Sequence, residues 1–267
     1  MSDSQATISQ VNQTQNVVPD AQGRAYVMPL GGTATYFRLK RILDFVAASV
    51  LLILLAPLII AIMLMVKLTS KGSAFFTQER IGSRVTYADG RPLWELFPFT
   101  MLKFRTMRDG AKSEVHHAFV KAYINNDAET MKRVKEQTAA RKQVNTKPEN
   151  KYKLDADPRI TSIGKFLRKT SLDELPQLIN VIRGEMSLVG PRPPLPYEVA
   201  EYKEPHFDRF AAYQGITGYW QVKGRSAVSF EQMIELDRWY AKHQSVLLDI
   251  KILVMTPLRV LIGDGAG

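Results

Sequence analysis

The 267-residue chain contains no cysteine. That absence excludes disulfides, thiolate metal sites and a cysteine nucleophile, and it leaves the redox compartment unassigned. Its four histidines, His116, His117, His206 and His243, are too scattered for a metal-binding motif. Acid is scarce relative to base: 26 Asp and Glu stand against 36 Lys and Arg, a net charge of +10. Residues 1–35 hold only Asp3, Asp20 and Arg24 among the charged types, so the basic surplus lies in the remainder. Such a surplus favours an anionic partner: nucleic acid, anionic lipid or a phosphorylated substrate. The glycine-punctuated stretch Gly215–Arg225 lacks P-loop or Rossmann spacing. No groove-reading motif is present either, so nucleic acid is not the expected partner.

Residues 1–35 are rich in Ser, Gln, Thr and Asn and read as a disordered tail. No basic n-region precedes a short apolar core near Met1, so a cleaved signal peptide is not expected. Phe45–Val66 is then an apolar run of 22 residues with no charge. A straight helix of that length would be roughly 33 Å long, enough to cross a bilayer core. Pro57 lies near its middle, where the ring clashes with the carbonyl of Ile53 and removes a backbone hydrogen bond. Basic residues also flank both ends: Arg38, Lys40 and Arg41 before, Lys67, Lys71 and Arg80 after. Symmetric positive flanks suit a hairpin that enters and leaves one membrane face, whereas a spanning helix should show an imbalance. From the residues alone, spanning and re-entrant readings both stand. Asp44, beside Arg41, is expected to pair with it at the membrane entry.

Further along, Ala74-Phe75-Phe76 and Leu102–Met107 read as extended segments, the second with Lys103 and Arg105 on one face. Residues from about 111 to 153 form a polar insertion, helical in composition between Lys121 and Lys142 and expected to lie on the surface. Phe230–Tyr240 reads as a helix. Leu247–Ile262 reads either as a core helix or as an amphipathic one at the membrane surface.

The most informative stretch is Thr170–Pro176. Asp173 and Glu174 are adjacent carboxylates among Arg168, Lys169, Arg183 and Arg192. Ser171-Leu172-Asp173-Glu174 fits a capping box, with Ser171 as N-cap and Glu174 reaching back to its N–H. It equally places a carboxylate nucleophile near a helix start. Leu172, Leu175, Leu178, Ile179 and Ile182 give the apolar face of that helix, and Gly184 its C-cap. Gly190-Pro191-Arg192-Pro193-Pro194 is a stiff loop that presents one guanidinium, which suits either a phosphate clamp or a rigid surface turn.

Taken in order, several motifs resemble the bacterial sugar transferase family, the monotopic polyprenyl-phosphate phosphoglycosyltransferases, in their small form. They are Phe75–Gly82, Lys103–Met107, Asp157–Thr161, Ser171–Gln177, Val189–Pro193 and Gly215–Gly218. The resemblance implies a mainly helical α/β catalytic domain with interfacial amphipathic helices (residues 72–267) behind a re-entrant membrane helix (36–71) broken at Pro57. It places the protein at the bacterial inner membrane, with that domain on the cytoplasmic face. Relatives often carry serine before the proline, and Ala56 stands there. The insertion and the tail are additions to the smallest members, and the extra N-terminal membrane helices of the large form are not expected.

The resemblance also implies a reaction: transfer of a phosphosugar from a UDP-sugar to polyprenyl (undecaprenyl) phosphate, initiating polysaccharide or glycoconjugate assembly. Asp173 would be the nucleophile and a ligand of Mg²⁺. Glu174 would orient the lipid phosphate or take its proton. Lys103, Arg168, Arg192 and Arg225 would hold substrate phosphates. Two other readings are carried: a membrane-anchored basic binding protein, and direct sugar transfer without a covalent intermediate. Which sugar is used and whether the chain self-associates as a homo-oligomer are left open.

Overall fold

The computed structural model describes residues 17–19, 25–88, 91–107, 114–140, 160–224 and 228–262. Two short strands, β1 (Val17–Pro19) and β2 (Ala25–Val27), precede two helices, α1 (Ala34–Leu54) and α2 (Ala56–Thr69). A long hairpin follows, β3 (Phe75–Ala88) and β4 (Arg91–Phe104), then α3 (Glu114–Ile124) and α4 (Ala128–Ala140). Next come α5 (Ser162–Lys169), a 3-10 turn at Leu172–Glu174, α6 (Gln177–Arg183) and β5 (Ser187–Val189). The chain continues through α7 (Pro196–Val199), a 3-10 segment at Glu204–Phe210, β6 (Gly215–Thr217) and α8 (Tyr219–Lys223). It closes with α9 (Phe230–His243) and α10 (Val246–Ile262). The result is mostly helical. Its larger sheet is antiparallel in the order β1-β2-β4-β3, and β5 and β6 form a separate parallel pair.

The sequence predicts disorder through residue 35, and the structure corrects this. β2 pairs with β4 through Tyr26 and Val27, and Ala25 and Val27 are buried in the core. Three residues of alternating burial are enough to complete a sheet edge, but too few to show a period.

Helix α1 begins where the Thr33 side chain accepts the Tyr36 N–H. It ends at Leu54, α2 begins at Ala56 with Pro57 in its first turn, and the two helices are bent by 63°. The proline is comfortable there because first-turn N–H groups have no intrahelical partner. Among the described residues, no single helix is long and apolar enough to cross a membrane; only this bent pair passes by length and composition together.

The first half of α1 belongs to the domain core. Phe37 is buried edge-on against Trp94. Lys40 Nζ donates to Asp249 Oδ2 at 2.8 Å, and the Tyr36 and Tyr240 hydroxyls donate to the same carboxylate. Asp44 does not pair with Arg41 at a membrane entry. It is buried, accepts the Leu188 N–H at 3.1 Å and lies 4.0 Å from Lys40 Nζ. Arg41 instead donates to the carbonyls of Val181, Ile182 and Met186, where the C-terminal end of α6 leaves acceptors unfilled. Beyond Ala48 the helix turns outward, and Ile53 and Leu54 are 73% and 69% exposed.

Two further expectations change. The insertion is not merely a surface feature. Val120, Tyr123 and Ile124 of α3 are buried in a second cluster with Trp220, Phe230 and Met233. Lys103 and Arg105, expected on one face, go to different partners: Lys103 to Glu174 and Arg105 to Ser70. β4 stops at Phe104, and Arg105 is buried with its guanidinium on Ser70 O and Oγ, both at 2.8 Å. Helix α10 has a core face and an exposed apolar face: Ile252 and Asp249 are buried while Leu247, Ile250, Val254 and Leu258 are exposed.

Candidate active site

Helix α5 opens on Thr161, whose side chain accepts the Gly164 N–H, and it closes at Thr170. Ser171 then adopts φ 57, ψ 16, a left-handed conformation uncommon for a residue with a side chain. This reversal swings the chain into the 3-10 turn that carries Asp173 and Glu174, and α6 starts only after Pro176. The expected capping box is therefore absent. The Ser171 side chain makes no cap bond, and the Glu174 carboxylate is used elsewhere.

Glu174 Oε1 accepts from Lys103 Nζ at 2.8 Å and from Arg192 Nη1 at 3.0 Å. Three distant segments thus meet on one oxygen: the end of β4, the 3-10 turn and the proline-rich loop after β5. Burial pushes the Glu174 carboxyl up, but Lys103 and Arg192 outweigh it, and the group is held well below the usual carboxylate range. Burial pushes the Lys103 ammonium down, and neighbouring Arg192 adds to that, against the pull of Glu174 and Asp173. The partners move unequally, but two cations converging on one carboxylate oxygen keep the pair ionised.

Asp173 is the contrast. It is 8% exposed, and among the described residues its carboxylate has no hydrogen-bond or ion-pair partner. Burial raises its carboxyl, and Glu174 raises it further against Lys103, Arg168 and Arg192. Arg168, in the last turn of α5, acts on it through space without direct contact. Of the expected phosphate-binding residues, Lys103, Arg168 and Arg192 gather here. Arg225 and the Asp157-Pro158-Arg159 motif lie outside the described residues.

The loop that carries Arg192 is built to be stiff. Gly190 packs so closely that a Cβ would stand 1.8 Å from the Tyr213 carbonyl. Arg80 Nη1 donates to the Pro193 carbonyl at 2.9 Å, and Arg209 Nη2 donates to the Arg192 carbonyl at 3.0 Å. Arg209 is itself buried and paired with Asp237 at 2.8 Å. A cleft lined by Arg80, Arg192, Tyr123, Trp220 and Phe230 adjoins this loop. The sequence reading named neither Arg80 nor Arg209 as a site residue. The available signal was an arginine locked into apolar or motif surroundings: Phe207-Asp208-Arg209-Phe210 in one case, Phe75–Gly82 in the other.

Among the described residues, no group of three or more His, Cys, Asp or Glu side chains could hold a metal by itself. Magnesium rarely needs such a cage, since it binds through one or two carboxylates, waters and substrate phosphates. Asp173 suits that pattern, because its carboxylate oxygens are unshared among the described residues. Chemically, the arrangement offers one carboxylate without a partner among the described residues, a second one neutralised beside it, and cations near both.

The profile of the bacterial sugar transferase family matches residues 35–263. Among curated proteins, the chain is 38% identical over 249 residues to the exopolysaccharide production protein ExoY of Rhizobium meliloti, covering 93% of this chain and 94% of that one. It is 41% identical over 229 residues to the UDP-galactose-lipid carrier transferase of Erwinia amylovora, covering 85% of this chain but 41% of that one. It is 34% identical over 249 residues to the UDP-glucose:undecaprenyl-phosphate glucose-1-phosphate transferase of Escherichia coli, covering 90% of this chain and 44% of that one. The chain therefore spans nearly all of one relative and less than half of the other two.

Proposed function

The chain belongs to the bacterial sugar transferase family and is an enzyme of the phosphoglycosyltransferase type, and from that premise we propose that it transfers a phosphosugar from a UDP-sugar to polyprenyl phosphate through an aspartyl intermediate. The observation that carries the proposal is the unequal state of two neighbouring carboxylates. Among the described residues the Asp173 carboxylate has no hydrogen-bond or ion-pair partner, whereas Glu174 is held by Lys103 and Arg192.

In the first step an oxygen of Asp173 attacks the β-phosphorus of the donor. The bond from that phosphorus to the bridging oxygen breaks, and UMP leaves with the electron pair. In the second step an oxygen of the lipid phosphate attacks the same phosphorus, the aspartyl–phosphorus bond breaks, and the carboxylate of Asp173 is restored. Carboxylates are established nucleophiles toward phosphoryl groups. Burial favours the attack by stripping water from Asp173, whose raised pKa marks a more basic nucleophile once ionised. Attack by an anion on a diphosphate needs positive charge, and Arg192, Lys103 and Arg168 supply it. Mg²⁺, held by Asp173 and the substrate phosphates, would neutralise charge that the side chains leave. Glu174 keeps the two cations in place and faces the incoming lipid phosphate.

The membrane part of the proposal rests on the bend between α1 and α2. The exposed apolar residues beyond Ala48 and along α2 would dip into one leaflet, with the outer stripe of α10 resting on its surface. The domain would sit on the cytoplasmic face. Accessibility labelling should place residues near Arg38 and Lys71 on the same side, and opposite sides would end the hairpin reading.

The decisive experiment mixes enzyme and donor without lipid acceptor, quenches, and weighs the protein. A mass increase of one phosphosugar is expected, matched by UMP release. An active preparation that never carries the adduct would establish direct transfer instead. The names of the relatives mention both galactose and glucose, so a panel of UDP-sugars belongs in the same assay.

A further inference from the structure

We propose that Asn180 is a positioning residue that sets the alignment of Lys103 with Glu174; the inference rests on the catalytic reading above. β4 is paired with β3 along its whole length, but its other edge meets β2 only around Trp94 and Glu95. Further along, that open edge is met by α6. Asn180 is fully buried there. Its Oδ1 accepts the Leu102 N–H at 3.0 Å, and its Nδ2 donates to the Thr100 carbonyl at 2.8 Å. Main-chain groups of residues 100 and 102 point to the same side of a strand, so one carboxamide satisfies both as a neighbouring peptide would. A second Nδ2 proton goes to Glu185 Oε2 at 2.6 Å, which fixes which way the amide faces.

The consequence lies one residue further on. Lys103 follows Leu102 directly, and Glu174 precedes Asn180 by less than two helical turns. The 2.8 Å contact between Lys103 and Glu174 thus depends on how α6 is registered along β4, and Asn180 makes the only side-chain bonds from α6 to that strand's backbone among the described residues. Strand side chains alternate faces, so a slip of one residue would carry Lys103 away from the turn. Arg41 grips the C-terminal end of α6, but its bonds do not select a residue of β4.

A double-mutant cycle with Lys103 separates positioning from simple support. Asn180→Ala should lower the kcat of UMP release by about tenfold or more, with the donor KM within about threefold, because the groups lost are not substrate contacts. In a Lys103→Ala background the same change should cost less than about threefold. Effects that multiply in full would overturn the proposal, since a general loss of packing does not depend on Lys103. If Asn180→Ala does not fold, the cycle runs with Glu185→Ala, which frees the amide to turn; there a loss of about threefold that vanishes in Lys103→Ala is expected, and an undiminished loss overturns it. Wild-type protein that releases no UMP from any UDP-sugar would defeat the catalytic reading itself, whatever the cycle shows.

Discussion

Asp173 and Glu174 are neighbours in the chain, share one short turn and are both largely shielded from water, yet their carboxyl groups are shifted in opposite directions. Glu174 is pulled down by two cations on a single oxygen, and Asp173 is pushed up by burial and by Glu174 itself. The difference comes from the turn. After the left-handed Ser171, consecutive side chains of the turn meet different surroundings: Glu174 meets the end of β4 and the Arg192 loop, and Asp173 has no hydrogen-bond or ion-pair partner among the described residues. One carboxylate thereby becomes part of the scaffold, and the other is left available for chemistry.

The largest test of that contrast is loss of activity. Asp173→Asn should reduce UMP release by about 10³-fold or more and abolish the protein adduct. Glu174→Gln should retain adduct formation and reduce turnover by about 10- to 100-fold, because its cations lose their anchor but remain nearby. Equal losses in the two variants would erase the division of labour.

The next test is pH. Activity should fall on acidification as Asp173 takes up a proton, with a midpoint above the ordinary aspartate value of about 3.9. Glu174 stays ionised through that window, because its own pKa lies well below the usual range. In Glu174→Gln the acid limb should move to lower pH, since the negative charge holding Asp173 up is gone. A limb that stays in place would mean that another group controls it.

Stability should split in sign. A folded pKa raised above the unfolded value means that ionised Asp173 costs stability at neutral pH, so Asp173→Asn should raise Tm by about 2 °C. Glu174 has a depressed folded pKa. Its contribution is present above the unfolded value and lost only as pH falls through the folded one, so Glu174→Gln should lower Tm by about 5 °C or more, leaving two partly buried cations unbalanced. Thermal melts at pH 7 decide this, and shifts of the same sign would break the contrast. The smallest effect is at Ser171, where glycine relieves the positive φ at some cost in chain entropy. A net Tm change of about 1–2 °C upward is expected, with adduct formation retained.

Some of this was legible in the residues. Pro57 breaks the apolar run because its own ring and missing N–H do so wherever it falls, and Gly184 ends α6 with φ 88 because glycine tolerates that conformation. The cluster of Asp173, Glu174, Lys103, Arg168 and Arg192 was legible only through the ordered motifs, since the contacts that bind Glu174 cross 71 and 18 residues. The capping box was misread for that reason: local pattern favours Glu174 reaching back to Ser171, and two remote cations compete more strongly. Asp44 was misread likewise. Beside an apolar run it looks interfacial, and nothing near it in sequence announces the Leu188 N–H that donates to it in the core. Asn180 carried a faint signal, a lone carboxamide inside Leu178–Ile182, but not the strand edge it would meet.

The boundary between anchor and catalyst falls inside one helix. Phe37, Lys40, Arg41 and Asp44 tie the first half of α1 to β4, α10, α6 and β5, the last turn of α1 projects away, and α2 returns to the domain through Ile62 and Val66, buried against Phe104 and Leu167. A foreign tether can therefore replace the exposed apolar stretch only if it is spliced in after Ala48 and rejoins α2 before Ile62, which is buried against the domain. A cut made where the apolar run starts, at Phe45, would sever a continuous rod just after Asp44 and loosen the grip on the far end of α6.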